Sequence, residues 1–138
     1  MARFLVDTNV ISELAKSTPN QGVLTWLSQN SNDIALSTIT VKELYFGALR
    51  MSEGRRKQRI LACIDNILWL YERDILPFDH QSAQLCARLH VQAIESGRTP
   101  QIEDLQIASI CNRFGLMLVT RNTKDFEYFG ISCINPFD

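Results

Sequence analysis

The chain has 138 residues, which sets an expectation of one domain spanning 1–138. Hydrophobic residues make up 46% and charged residues 21%, close to folded-domain averages, so wholesale disorder, collagen-like chains and disulfide miniproteins are excluded. Fourteen Lys and Arg face fifteen Asp and Glu, a formal charge of -1, so a bulk basic footprint for nucleic acid is absent.

Arg3 to Val6 reads as a short buried strand ending at Asp7. Its apolar run is too short for a signal peptide. Asn9 to Lys16 is predicted as a helix carrying Val10, Ile11 and Leu14, and Gly22 to Gln29 as a second. The turn-rich Asn30-Ser31-Asn32-Asp33 precedes a strand over Ile34 to Ser37. Thr40 to Arg50 follows helical periodicity through Val41, Leu44, Tyr45, Ala48 and Leu49. The basic segment Ser52 to Arg59 leads into a long helix striped by Ile60, Leu61, Ile64, Ile67, Leu68 and Tyr71. Ile75-Leu76 is a short strand before Pro77. Ser82 to Ser96 and Glu103 to Phe114 are amphipathic helices, ended at Gly97 and Gly115. Strands over Leu116 to Val119 and Ser132 to Ile134 complete the chain. Tyr45, Phe46 and Trp69 read as core or interface aromatics.

No stretch approaches the roughly 20 apolar residues of a membrane span. Cys63, Cys86, Cys111 and Cys133 form no CxxC pair, and His80 and His90 lie near no cysteine pair. The expectation is free thiols in a reducing cytoplasm, without a zinc site.

Strands alternating with helices point to an α/β fold with a mainly parallel sheet. Such sheets bind ligands beyond the carboxyl ends of their strands. Asp7 follows the first strand and suits a helix N-cap. Glu43, in Thr40-Val41-Lys42-Glu43, suits a capping box with Thr40 as N-cap. Asp104 complements a helix dipole, and Asp125 with Asn122 suits Asx-turns. Together, though, these acids fall at strand ends or first helical turns, which share one edge of a parallel sheet. Carboxylates gathered there repel one another unless a cation sits among them. Oxygen-rich sites of this kind suit Mg²⁺ or Mn²⁺. Such ions activate water for phosphodiester cleavage. No Ser-His-Asp or Cys-His arrangement and no Gly-rich phosphate loop competes.

Leu5-Val6-Asp7-Thr8-Asn9-Val10-Ile11-Ser12-Glu13 resembles the opening of PIN-domain ribonucleases. Ser37 to Leu44 resembles their second acidic motif, Ile102-Glu103-Asp104-Leu105-Gln106-Ile107-Ala108 the third, and Val119 to Phe126 the fourth. The order and size are similar to the VapC-like (FitB-like) toxins of type II toxin–antitoxin pairs. The resemblance implies a three-layer α/β/α sandwich and Mg²⁺- or Mn²⁺-dependent cleavage of RNA by a metal-activated water. It implies Asp7 and Asp104 as principal metal ligands, with Glu43 and Asp125 binding directly or through water. Thr8, Asn9 and Asn122 would support them. Glu103 beside Asp104 departs from the family's pattern, an extra acid able to substitute for it in part. Arg121 and Lys124 flank the fourth motif as candidate RNA contacts. Arg50, Arg55, Arg56, Lys57 and Arg59 are either positive guidance or a solvated helix face.

The same resemblance implies a homodimer neutralised by a VapB-like antitoxin, with DNA met only through that antitoxin. Helix faces over 40–50 and 57–71 are candidate surfaces for it, or ordinary core. An aspartyl-phosphate receiver domain and a catalytically silent PIN-fold module are the alternatives. Setting the four acids aside leaves eleven against fourteen bases, so the bulk charge averages an acidic cleft with a mildly basic surround.

Overall fold

The computed structural model describes residues 2–138. Its strands are β1 (Phe4–Val6), β2 (Ile34–Ser37), β3 (Ile75–Leu76), β4 (Met117–Val119) and β5 (Cys133–Ile134). They form one sheet in the order β3-β2-β1-β4-β5, with every neighbouring pair parallel. The helices are α1 (Thr8–Ile11), α2 (Gln21–Gln29), α3 (Thr38–Leu49), α4 (Arg55–Leu70), α5 (His80–Glu95), α6 (Ile102–Phe114) and α7 (Thr123–Glu127).

Successive side chains of a strand point to opposite faces, so a parallel sheet covered on both sides needs strands apolar throughout. β1 meets that demand. Phe4 and Val6 join Leu36 and Val119 in a core closed by α1 to α4. Leu5 joins Ala35 and Leu118 in a second core, closed by Leu89 of α5, Ile107 of α6 and Phe126 of α7. The architecture is the expected three-layer α/β/α sandwich.

Most boundaries fall within two residues of expectation, and the departures have local causes. The predicted helix over Asn9 to Lys16 stops at Ile11 and continues as a 3-10 turn over Ser12–Ala15. Glu13 is buried in that turn, accepting the Asn20 N–H at 2.9 Å and pairing with Lys16. The predicted capping box at Thr40 does not form. Helix α3 starts two residues earlier because Ser37 caps it, its Oγ accepting the Thr40 N–H at 3.1 Å. That leaves the Thr40 hydroxyl free to turn toward Thr8, and Glu43 free of capping.

The stripe on α3 also ends sooner than its periodicity suggests, since Leu49 is 58% exposed. Phe46 and Trp69 are exposed rather than core, and Tyr45 is half-buried, donating its hydroxyl to Asp65. Helix α4 begins inside the basic segment, at Arg55. Strand order runs from β1 out to β3, then resumes on the other side of β1 at β4. The crevice beyond the carboxyl ends of β1 and β4 is therefore the topological switch point, where α/β sheets hold ligands.

Candidate metal and active site

Asp7 occupies that crevice. Its N–H donates to the Val119 carbonyl at 2.9 Å, tying the ends of β1 and β4 together. Its side chain caps α1, Oδ1 accepting the Thr8 N–H at 2.8 Å. Oδ2 accepts the buried Thr120 hydroxyl at 2.8 Å and the Asn9 amide at 3.4 Å. Capping and site-building are therefore one and the same arrangement at Asp7.

Neighbouring groups extend the network. The Asn9 side-chain oxygen Oδ1 accepts the Arg121 N–H at 3.1 Å, anchoring the loop after β4. The Asn122 N–H donates to Thr120 Oγ1 at 3.1 Å, while the Asn122 side chain makes no capping bond on α7. Across the crevice, the Thr8 hydroxyl donates to Glu43 Oε1 at 2.7 Å and stands 2.9 Å from Thr40 Oγ1. Asp104 enters from the first turn of α6 and Asp125 from α7.

These elements bring Asp7, Glu43, Asp104 and Asp125 to one cavity of about 370 Å³, walled also by Thr8, Asn9, Asn122 and Gln101. Thr120 and Gln101 carry no predicted role in the sequence, and Thr40 only that of a helix cap. Thr120 had a usable signal, since it follows β4 as Asp7 follows β1. Arg121 and Lys124 do not line this cavity. The Arg121 guanidinium sits over Phe137, 4.6 Å from the ring centroid. Lys124 lines an adjoining hollow. Glu103 also stays off the cavity wall and acts on Asp104 only as a neighbouring charge.

The electrostatics are those of a cavity short of positive charge. Burial raises the Asp7 carboxyl above its ordinary range, and Glu43 adds to this, against the Thr120 and Thr8 hydrogen bonds. Burial pushes Asp104 up to about 6, reinforced by Asp7, Asp125, Glu43 and Glu103. Ion pairs among the described residues go elsewhere, to Lys16–Glu13, Lys57–Glu53 and Arg113–Asp79. Among these residues no lysine or arginine is ion-paired with the four acids. Among the described residues, no three acidic, histidine or cysteine side chains gather tightly enough to cage an ion by themselves. The donor set is hard oxygen, and Mg²⁺ takes one or two carboxylates with waters rather than a full protein cage. The residues present fit such an ion.

A groove of about 490 Å³ between α3 and α4 opens from Thr8 and Glu43. Leu44, Ile60 and Ile64 floor it, and Arg56 and Arg59 stand on its lip. The basic run thus divides: Lys57 is buried and paired with the exposed Glu53, while Arg56 and Arg59 line the groove.

The PIN domain family model matches residues 4–130. The chain belongs to the PIN-domain family. This PIN domain is 38% identical over 136 residues to the VapC ribonuclease Y4jK of Sinorhizobium fredii, covering 97% of each chain. It is 35% identical over 135 residues to the toxin FitB of Neisseria gonorrhoeae, covering 96% of this chain and 97% of that one. The crystal structure of FitAcB from that organism superposes with a TM-score of 0.89 at 34% identity, over 96% of this chain and 97% of its own. The DNA-bound VapBC structure from Salmonella typhimurium gives 0.86 at 26% identity, over 99% of both chains. A receiver domain has the doubly wound order 2-1-3-4-5. The PIN domain's order, 3-2-1-4-5, removes that alternative. No described helix is long and apolar enough to cross a membrane.

Proposed function

We propose that this PIN domain, taken as one unit over 1–138, is an endoribonuclease that hydrolyses RNA phosphodiesters with Mg²⁺ or Mn²⁺. The observation that carries the reading is the convergence of Asp7, Glu43, Asp104 and Asp125 on one cavity, with no ion pair to balance them among the described residues. Asp7 and Asp104 would hold the ion, with Glu43 and Asp125 binding directly or through water. When bound, such an ion neutralises the carboxylates and acidifies water for attack on phosphorus. Thr120, Thr8 and Asn9 fix the Asp7 carboxylate so that it reorganises little when it is used. Thr8 does the same for Glu43. Among the described residues no histidine, lysine or thiol lines the cavity, so proton transfers there fall to the carboxylates. A silent module would not keep four acids at one switch point against their mutual repulsion.

The relatives named as a VapC ribonuclease and a FitB toxin support a toxin role acting on RNA. In this reading the chain works in the cytoplasm, as a homodimer paired with an antitoxin. The α3–α4 groove is suited to a segment of a VapB-like antitoxin, whose basic side chain would reach Glu43. DNA would be met through that antitoxin. The test is cleavage of RNA by the purified chain in EDTA, Mg²⁺ and Mn²⁺. Cleavage is expected only with metal and is lost in Asp7→Asn and Asp104→Asn. Cleavage in EDTA, or full activity in both variants, overturns the reading.

A further inference from the structure

Beside the acid cavity lies a second hollow of about 310 Å³, sharing Gln101, Asp104 and Asp125 with it and adding Arg98, Lys124 and Tyr128. Its basic residue Arg98 is placed by local chain geometry. Two residues past the end of helix α5, Gly97 has a φ of 74°, a left-handed conformation that glycine adopts without strain. The Gly97 N–H donates to the Ile94 carbonyl at 3.0 Å and the Arg98 N–H to the Ala93 carbonyl at 2.8 Å. This is a Schellman closure, which turns the chain sharply just before Arg98. The guanidinium then stacks on the Tyr128 ring, 4.1 Å from its centroid. The ring is itself pinned, donating its hydroxyl to the Gln92 carbonyl at 2.9 Å and meeting Phe129 edge-on at 5.3 Å.

Asp104 and Asp125 line the same hollow, yet among the described residues neither Arg98 nor Lys124 forms an ion pair with a carboxylate. Arg98 and Lys124 are both exposed. Their charges remain available to an anion arriving from outside. A guanidinium stacked on one face by tyrosine can take a nucleobase on the other, and its edge can take a phosphate. An acidic peptide uses the charge but has no flat ring for the stack.

We infer that this hollow is a subsite for the nucleotide flanking the scissile phosphate, with Arg98 and Tyr128 stacking its base and Lys124 on its backbone phosphate. The inference rests on the ribonuclease reading of the adjoining acids. The strand then crosses from a basic, aromatic hollow into the acid cavity, which fits a chain of phosphates interrupted by one metal-bound position.

The experiment uses a short fluorescent single-stranded oligoribonucleotide in Mg²⁺. For Arg98→Ala, KM is expected to rise about tenfold with kcat little changed, the range of one lost base stack. The slope of log affinity against log salt should flatten by about 0.7 for each cation removed, at Arg98 or Lys124. Tyr128→Leu should share the KM effect, and Tyr128→Phe should recover most of it, because the ring makes the stack and the hydroxyl only tethers it to Gln92. Arg73→Ala, an exposed cation outside this hollow, should match the wild type. Wild-type KM and salt slope in Arg98→Ala would overturn the subsite, as would an equal effect from Arg73→Ala. Stronger displacement of the oligonucleotide by polyglutamate than by unlabelled RNA would give the hollow to an acidic peptide and overturn it too. Fluorescence anisotropy in the Asp104→Asn background separates the two readings. If the wild type cuts no RNA, the nuclease reading falls, and the effect of adding Arg98→Ala on binding still decides the subsite.

Discussion

Asp7 and Glu13 stand at the two ends of the turn after β1, and both are buried, at 6% and 3% exposure. Their surroundings differ in kind. Burial pushes Glu13 up, but the Lys16 ion pair, the Asn20 N–H and the charges of Lys16 and Arg121 together hold it below its ordinary value. Asp7 receives only neutral donors and faces other acids, so it stays raised. A buried carboxylate normally has a paired cation or a shifted equilibrium. Glu13 has its cation within the chain. Asp7 does not, and the contrast shows which of two acids with equally little exposed surface is built to wait for a charge from solution.

The strongest way to break the comparison is to neutralise each acid in turn. Asp7→Asn keeps an oxygen for the Thr8 cap, so the fold should survive. RNA cleavage in Mg²⁺ should fall by at least about a hundredfold, since several kcal/mol of charge stabilisation are lost. Single-turnover rates against metal concentration check this. Glu13→Ala should do the reverse. It leaves the acid cavity intact but strips the Asn20 N–H and Lys16 of their partner, costing about 2 kcal/mol, less than a fully buried pair because Lys16 is exposed. Thermal melting should show the loss, and the increment of Tm that Mg²⁺ adds should be unchanged.

A finer probe is Thr120→Val, which removes the hydroxyl donated to Asp7 with little change of shape. Loss of such a supporting bond typically weakens metal affinity by about tenfold. Calorimetric titration with Mn²⁺ would measure it. An affinity equal to that of the wild type would mean that Thr120 serves only the β4 end.

The legibility of these features in the sequence follows from the range of the interactions involved. The sheet was readable because β1 and β2 must be apolar on both faces, and the acids because they follow strands directly. The capping box at Thr40 misled because Ser37 offers the same chemistry three residues earlier, and only tertiary contact with Thr8 decides between them. Thr120 sits at a strand end that marks it, as Asp7 does, but what Thr120 and Arg98 touch was hidden for a different reason. Their partners, Asp7 and Tyr128, lie far along the chain, and no local spacing encodes those meetings.

The smallest effect is also the one that separates the two acids by sign. Asp104 shares the predicament of Asp7, with its folded carboxyl at about 6 against roughly 3.9 in an unfolded chain. Between those values the folded state binds the proton and the unfolded state does not. The resulting contribution to stability is complete below about pH 4 and is lost as pH rises through about 6. Glu13, held low, runs the other way: its contribution is present above its unfolded value and is lost as pH falls. In metal-free buffer at pH 7, Asp104→Asn should therefore stabilise the protein, by about 1 kcal/mol once solvent screening of this half-buried group is allowed for. A rise in Tm of about 3 °C is expected, shrinking to nothing near pH 4. Mg²⁺ should erase the wild-type disadvantage at pH 7 by lowering the Asp104 carboxyl, so the Tm curves of wild type and variant converge or cross on adding metal. Curves that stay parallel across pH and metal would mean that the acids repel too weakly to hold a site open for a cation.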